Sequence, residues 1–91
     1  LILDKLRSLY RLEKALALVN DIIDNESAEN LLAIAYYQQA LCYFALERFK
    51  DAQHSCEVCE QFNGVAELEK LNEKIILALE LVPKLQQLIL N

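Results

Sequence analysis

Ninety-one residues carrying a formal net charge of −5 and 55% apolar side chains fit one domain or a slice of one, since domains commonly run to about 100–200 residues. The charge is spread as 4 basic against 6 acidic residues over 1–30, 2 against 4 over 31–64 and 3 against 4 over 65–91. It offers no basic face to gather nucleic acid. One glycine and one proline leave almost nothing for hairpins, phosphate-cradling loops or a β-sandwich, so the expected class is all-α.

The first element is marked by Leu3, Leu6, Leu9, Leu12, Leu16, Val19 and Ile23, which recur at steps of three and four as on an amphipathic helix. Asp24 to Ser27 ("DNES") interrupts that rhythm with turn and N-cap residues. Ser27 is the expected cap, with a new helix starting near Ala28. From Ala28 to Leu46 two apolar stripes share one helix. Leu32, Tyr36, Ala40 and Tyr43 form one, and Ile34, Tyr37, Leu41 and Ala45 lie well around from them at about 100° per residue.

A third helix is expected over about Lys50 to Phe62, with Phe49, Ala52, Cys56 and Cys59 on one face. It should stop at Asn63-Gly64, where glycine takes the left-handed cap conformation. From Val65 onward Leu68, Ile75, Val82 and Ile89 fall seven apart, with Leu71, Ala78 and Leu85 between them. Pro83 crosses this heptad-like pattern, and an interior proline costs a helix about 3 kcal/mol. The pattern predicts a kink or break there, with one helix near 66–82 and a shorter one near 83–90.

Little in the chain proposes chemistry. "HSCEVC" (His54 to Cys59) contains thiols and an imidazole, but a zinc site needs about four ligands and Cys42 is the only other strong one. The better reading makes Cys56 and Cys59 small packing residues, with His54 facing solvent. No nucleophile stands beside a base and no long loop shapes a pocket. The expectation is no enzyme, no cofactor and no metal. Asp21, Asp24, Glu26 and Glu29 read as a solvated helix end.

Two strings tie the elements together: "LYRLEKA" (Leu9 to Ala15) and "LERFKDA" (Leu46 to Ala52) share one pattern 37 residues apart. Tyr36, Ala40 and Tyr43, followed by Phe49, Ala52, Cys56 and Cys59, have the spacing of an aromatic, a small residue and an aromatic, then a bulky residue, an alanine and two packing positions. In these residues the chain resembles a tetratricopeptide repeat. The resemblance implies antiparallel helical hairpins of an α-solenoid. In it 1–24 is a truncated repeat, 28–62 the best-matched repeat, and 65–91 a capping or degenerate-repeat helix. The two strings would then be the same inter-helix turn in successive repeats. The chain departs from the family where Gln39 stands for the usual leucine, where Gly64 replaces the usual proline, and in a spacing longer than the family's period of about 34.

The family's first helices line a concave groove that holds a partner's peptide or helix. The positions here that would face it are Ile34, Tyr37, Gln38, Leu41, Phe44 and Ala45. They are mostly apolar, so the implied partner is a protein segment with apolar anchors, held without the charge matching that some family members use. The rival occupant is the chain's own Val65 to Leu90 region.

Three cysteines make a poor disulfide framework, and no basic region with a cleavage site opens the chain. A cytosolic or nuclear setting is therefore expected. The longest apolar block, Ile75 to Val82, already holds Glu80, against the about 20 apolar residues of a membrane span. Leu1 in place of methionine, no methionine anywhere, and an apolar share above the typical roughly 45–50% suggest an excised fragment. Such a fragment would have surface to spare for a partner or for self-association.

Overall fold

The computed structural model describes the backbone of residues 2–90 and the side chains of 2–89. Leu1 and Asn91, the outermost residues of the 1–24 and 65–91 units, lie outside it. The described residues form four α-helices: α1 (Ile2–Asn25), α2 (Glu29–Ala45), α3 (Phe49–Gln61) and α4 (Leu68–Leu90).

α1 is one uninterrupted helix. Leu9 to Ala15 therefore lies in mid-helix and makes no turn, unlike Leu46 to Ala52. No glycine, proline or competing side-chain cap interrupts 2–25, and its leucines, alanines, lysines and arginines are strong helix formers. α1 ends where Asn25 Nδ2 donates to the Asp21 carbonyl at 2.8 Å and the Glu26 amide to the Ile22 carbonyl at 2.9 Å.

The start of α2 differs from expectation. Ala28 occupies the N-cap with no side-chain bond of its own, and the expected cap Ser27 is not the acceptor. Glu26 reaches forward instead, its Oε1 accepting the amides of Ser27 at 3.1 Å and Ala28 at 3.0 Å. A carboxylate is well suited there, because it satisfies donors the helix leaves open and opposes the positive end of the helix dipole.

The α2–α3 turn is built without glycine. Glu47 takes a left-handed φ of 62°, and the Arg48 amide reaches back to the Tyr43 carbonyl at 2.8 Å, a six-residue closure of the helix end. The Arg48 guanidinium lies 4.6 Å from the centroid of the Tyr43 ring and pairs with Asp51 at 2.8 Å, which holds the unfavourable Glu47 backbone in place. At the far end of α3 the same closure recurs. The Gly64 amide donates to the Cys59 carbonyl at 2.8 Å, with Asn63 and Gly64 both left-handed.

α4 runs through Pro83 without a break, which corrects the expected division into helices near 66–82 and 83–90. Proline removes one donor, here the one that would serve the Leu79 carbonyl. The proline lies in a stretch, 80–89, that is exposed throughout, so its ring meets no packed neighbour. The helix continues for seven residues beyond it, Lys84 to Leu90, among them Lys, Leu and Gln, which are good helix formers.

Short connections set each helix against its predecessor. α1 packs on α2, α2 most extensively on α3, and α3 on α4, with a small further contact between α2 and α4; α1 packs on neither α3 nor α4. The core is made of small residues flanked by larger ones. Ala33, Ala40, Ala52, Cys56 and Cys59 meet Leu68, Leu71 and Ile75, with Tyr36, Tyr43 and Phe62 packed at the edge. Ala40 and Ala52 are wholly buried, so the α2 and α3 backbones approach closely where they cross. The Tyr36 and Phe62 rings stack at 5.9 Å beside this crossing.

A polar tie links three helices. Gln39 donates to Asn20 Oδ1 in α1 at 2.7 Å and accepts from the Ser55 hydroxyl in α3 at 2.7 Å. Ser55 is 1% exposed, and its hydroxyl also lies 3.1 Å from the Asp51 carbonyl. A leucine at 39 would remove both inter-helix bonds, taking the donor from Asn20 Oδ1 and leaving the Ser55 hydroxyl only the Asp51 carbonyl of its own helix, which gives the departure from the repeat pattern a structural reason.

Candidate functional site

Helix α2 is touched on two sides, and what remains is the candidate face. Gln39 looks to α1, Ala33 and Ala40 look to α3, and the rotation of about 100° per residue leaves an arc between them. Of the six residues expected on it, Ile34 is 48% exposed, and Gln38 and Ala45 are also exposed. Tyr37, Leu41 and Phe44 are half-buried and pack against the core cluster, Phe44 meeting the Phe49 ring edge-on at 5.5 Å. The expected stripe is therefore graded, solvated at the Gln38 edge and anchored at the Tyr37 and Phe44 edge.

Leu31, at 45% exposure, extends the solvated edge one turn toward the start of α2. It was missed in the sequence, although its three-residue spacing from Ile34 was the available signal. No residue from Leu31 to Leu46 carries a charge, so the arc offers burial and no ion pairing.

Tyr37 marks where this arc meets the α3–α4 connection. Its phenol is raised above its ordinary pKa by burial, by the Glu67 carboxylate and by the neighbouring thiols of Cys56 and Cys59. It stays a neutral donor at physiological pH.

The cysteines sit behind this face. Cys42, Cys56 and Cys59 are free and buried, and the Cys59 thiol donates to the Ala33 carbonyl at 3.1 Å. Burial raises all three thiols, and Cys56 is pushed up to about 11 by burial with the Cys59 and Glu57 charges. A thiol that stays protonated and covered is a poor nucleophile. His54 is exposed on the other side of α3.

Two outcomes follow for the thiols. The folded chain should react slowly with an aromatic disulfide reagent at pH 8, and all three thiols should react at once in urea. Stability should also fall as pH rises from about 9 toward 11, because the unfolded Cys56 thiol ionises near 9.0 while the folded one holds its proton to about 11. Equal reaction rates in folded and unfolded chains would refute the packing role.

A second concavity, unforeseen in the sequence, lies where α3 ends and α4 begins. It is an open cleft of about 480 Å³ bordered by Glu57, Glu60 and Glu69 with Asn63 and Asn72. Its acids come from opposite sides of the Gly64 turn, so only the fold reveals their proximity. Among the described residues no three of His, Cys, Asp or Glu are grouped so as to hold a metal ion. None of the described helices is long and apolar enough to cross a membrane.

Compared with known proteins, the chain matches no family model, no curated protein and no solved structure.

Proposed function

We propose that this chain is a non-enzymatic protein–protein interaction module of tetratricopeptide type, which holds an apolar peptide or helix of a partner protein on the free arc of α2. The observation that carries this reading is the exposed, uncharged arc itself. Leu31 and Ile34 stand nearly half exposed on a helix whose other sides are fixed by α1 and by the close crossing with α3. A rigid helix with one bare apolar edge is suited to receive anchors from a partner segment, and groove anchors of this kind supply most of the binding energy in such contacts.

The uncharged stretch from Leu31 to Leu46 favours apolar over acidic or basic partners. The net charge of −5 disfavours nucleic acid. A cytosolic or nuclear setting goes with the buried, unpaired thiols.

The test is selection from a displayed peptide library followed by titration of the best peptide against Ile34→Glu and Leu31→Glu. Both residues are exposed, so the variants should melt like the parent while losing at least about tenfold in affinity. Selection of basic peptides only, or apolar peptides that bind both variants as well as the parent, would sink the proposal.

A further inference from the structure

The two outer helices are longer than the two inner ones, and both excesses fall at the same end. α1 has 24 residues and α4 has 23, against 17 in α2 and 13 in α3. At about 1.5 Å per residue, the outer helices overrun their neighbours by roughly 10 to 15 Å. α3 runs back along α2, Ser55 meeting Gln39 and Cys59 meeting Ala33, and α1 meets α2 through Asn20 and Gln39 across a short connection. α4 returns on α3 from the Gly64 turn, its first half packed in the core through Leu68, Leu71, Ile75 and Leu79. The start of α1 and the finish of α4 therefore both project past the α2–α3 turn at Leu46 to Arg48. The 49 Å long axis and the radius of gyration of 14.7 Å, against about 12 Å for a compact chain of this length, record this extension.

Both arms are apolar and bare. Residues 2–11 and 80–89 are exposed without exception. On the α1 arm Ile2, Leu3, Leu6, Leu9 and Tyr10 stand 47–77% exposed, and on the α4 arm Leu81, Val82, Leu85, Leu88 and Ile89 stand 36–82% exposed. Each arm presents on the order of 500 Å² of apolar side chain, at the upper end of the about 300–600 Å² of a typical monomer's largest patch, and the two together on the order of 1,000 Å². The seam on α4 is continuous with the internal one. Leu68, Leu71 and Ile75 are at most 9% exposed against α3, and the same seven-residue series then leaves the bundle as Val82, Leu85 and Ile89. Leu81 and Leu88 flank that seam, so the arm is apolar over a face too wide for one neighbouring helix to cover.

We propose that this end is a homodimer interface, in which the α1 and α4 arms of two copies interdigitate about a two-fold axis as an intermolecular four-helix bundle. A second copy is the occupant that covers both arms at once. Two-fold pairing buries both arms of both molecules, whereas a single partner helix laid on one arm leaves the other bare. The exposed area matches the about 800 Å² per partner of a stable interface. The α4 arm carries only Glu80 and Lys84 between residues 80 and 89, a net charge of zero, whereas the α1 arm carries Asp4 with Lys5, Arg7 and Arg11. The pairing with least like-charge repulsion therefore sets each α1 arm against the α4 arm of the other copy. The interface lies at the end of the helices and leaves the α2 arc of the proposed function free, so each reading stands or falls alone.

Sedimentation equilibrium from low micromolar to several hundred micromolar protein tests the interface. The parent should pass from the 10.5 kDa chain mass to twice that mass and stop there. Leu85→Glu and Leu6→Glu, one on each arm, should each weaken dimerisation at least about tenfold while helicity at the lowest concentration stays unchanged. If Leu85→Glu loses helicity there, Leu88→Glu, at a residue 77% exposed, takes its place. Ile34→Glu should leave the dimer intact. A monomer throughout the range, a mass that grows without limit, or a dimer indifferent to changes in both arms would overturn the proposal.

Discussion

Ile75→Ala should destabilise the chain by about 2–5 kcal/mol, the range for emptying a buried isoleucine site. Ile75 is 0% exposed and heads the fully buried side chains by volume. It sits where α4 meets the α2–α3 core, between Leu71 and the half-buried Leu79. Because α4 is held through α3 and only a small patch of α2, the cavity cannot be closed by a second layer of helix. Loss of this one contact should loosen α4 before the rest.

Urea unfolding followed by circular dichroism gives the energy, and amide exchange gives the location: amides of α4 should exchange faster than those of α2 and α3 in the variant. Lys74→Ala, on the adjacent exposed residue, should change stability by less than about 0.5 kcal/mol. A loss below about 1 kcal/mol for Ile75→Ala would mean that α4 is not anchored through this residue.

What the sequence made legible divides by the range of the interaction responsible. The all-α class follows from composition, and α2 and α3 fall within a residue or so of their expected bounds, because caps, turns and apolar rhythm are local. The left-handed Gly64 was read for the same reason. The string shared by Leu9 to Ala15 and Leu46 to Ala52 misled, since the two copies have similar letters and opposite outcomes. Neither holds a glycine or proline. The second turns because Glu47 can be held left-handed by Arg48, Tyr43 and Asp51 while α3 folds back onto α2. At Leu9 to Ala15 no such return is rewarded, and helix propensity wins.

Pro83 failed in the opposite sense, since a local breaker was overruled in an exposed arm where its ring meets no packed neighbour. Gln39 looked like a defect in the repeat pattern and proves to hold α1, α2 and α3 together. Only its partners Asn20 and Ser55, distant in sequence, could have said so. The candidate face shows the same division. The exposure of Ile34, Gln38 and Ala45 could be read from the helical wheel. The half-burial of Tyr37, Leu41 and Phe44 depends on packing brought in from α3 and the Leu68 to Ile75 stretch of α4.

Ala40→Leu should cost about 1–3 kcal/mol by overpacking, and the effect should belong to the crossing and not to the side chain. Ala40 and Ala52 are both 0% exposed. Adding three carbons at position 40 must displace α3 or force the leucine off its rotamer. Displacing α3 would also pull Ser55 from Gln39 and part the Tyr36 and Phe62 rings, so small relaxations are blocked by contacts on either side. Ala45→Leu supplies the control, being the identical change in the same helix at an exposed position. It should lie within about 0.5 kcal/mol of the parent. Because leucine has nearly the helix propensity of alanine, the difference between the two melting curves isolates the steric contribution. Ala52→Leu, approaching the same contact from α3, should repeat the loss, and the double variant should lose less than the sum of the singles, since one shift of α3 would accommodate both leucines. Strict additivity would place the two alanines in separate contacts, and equal melting of the Ala40 and Ala45 variants would remove the close crossing as the reason small residues stand at 40 and 52.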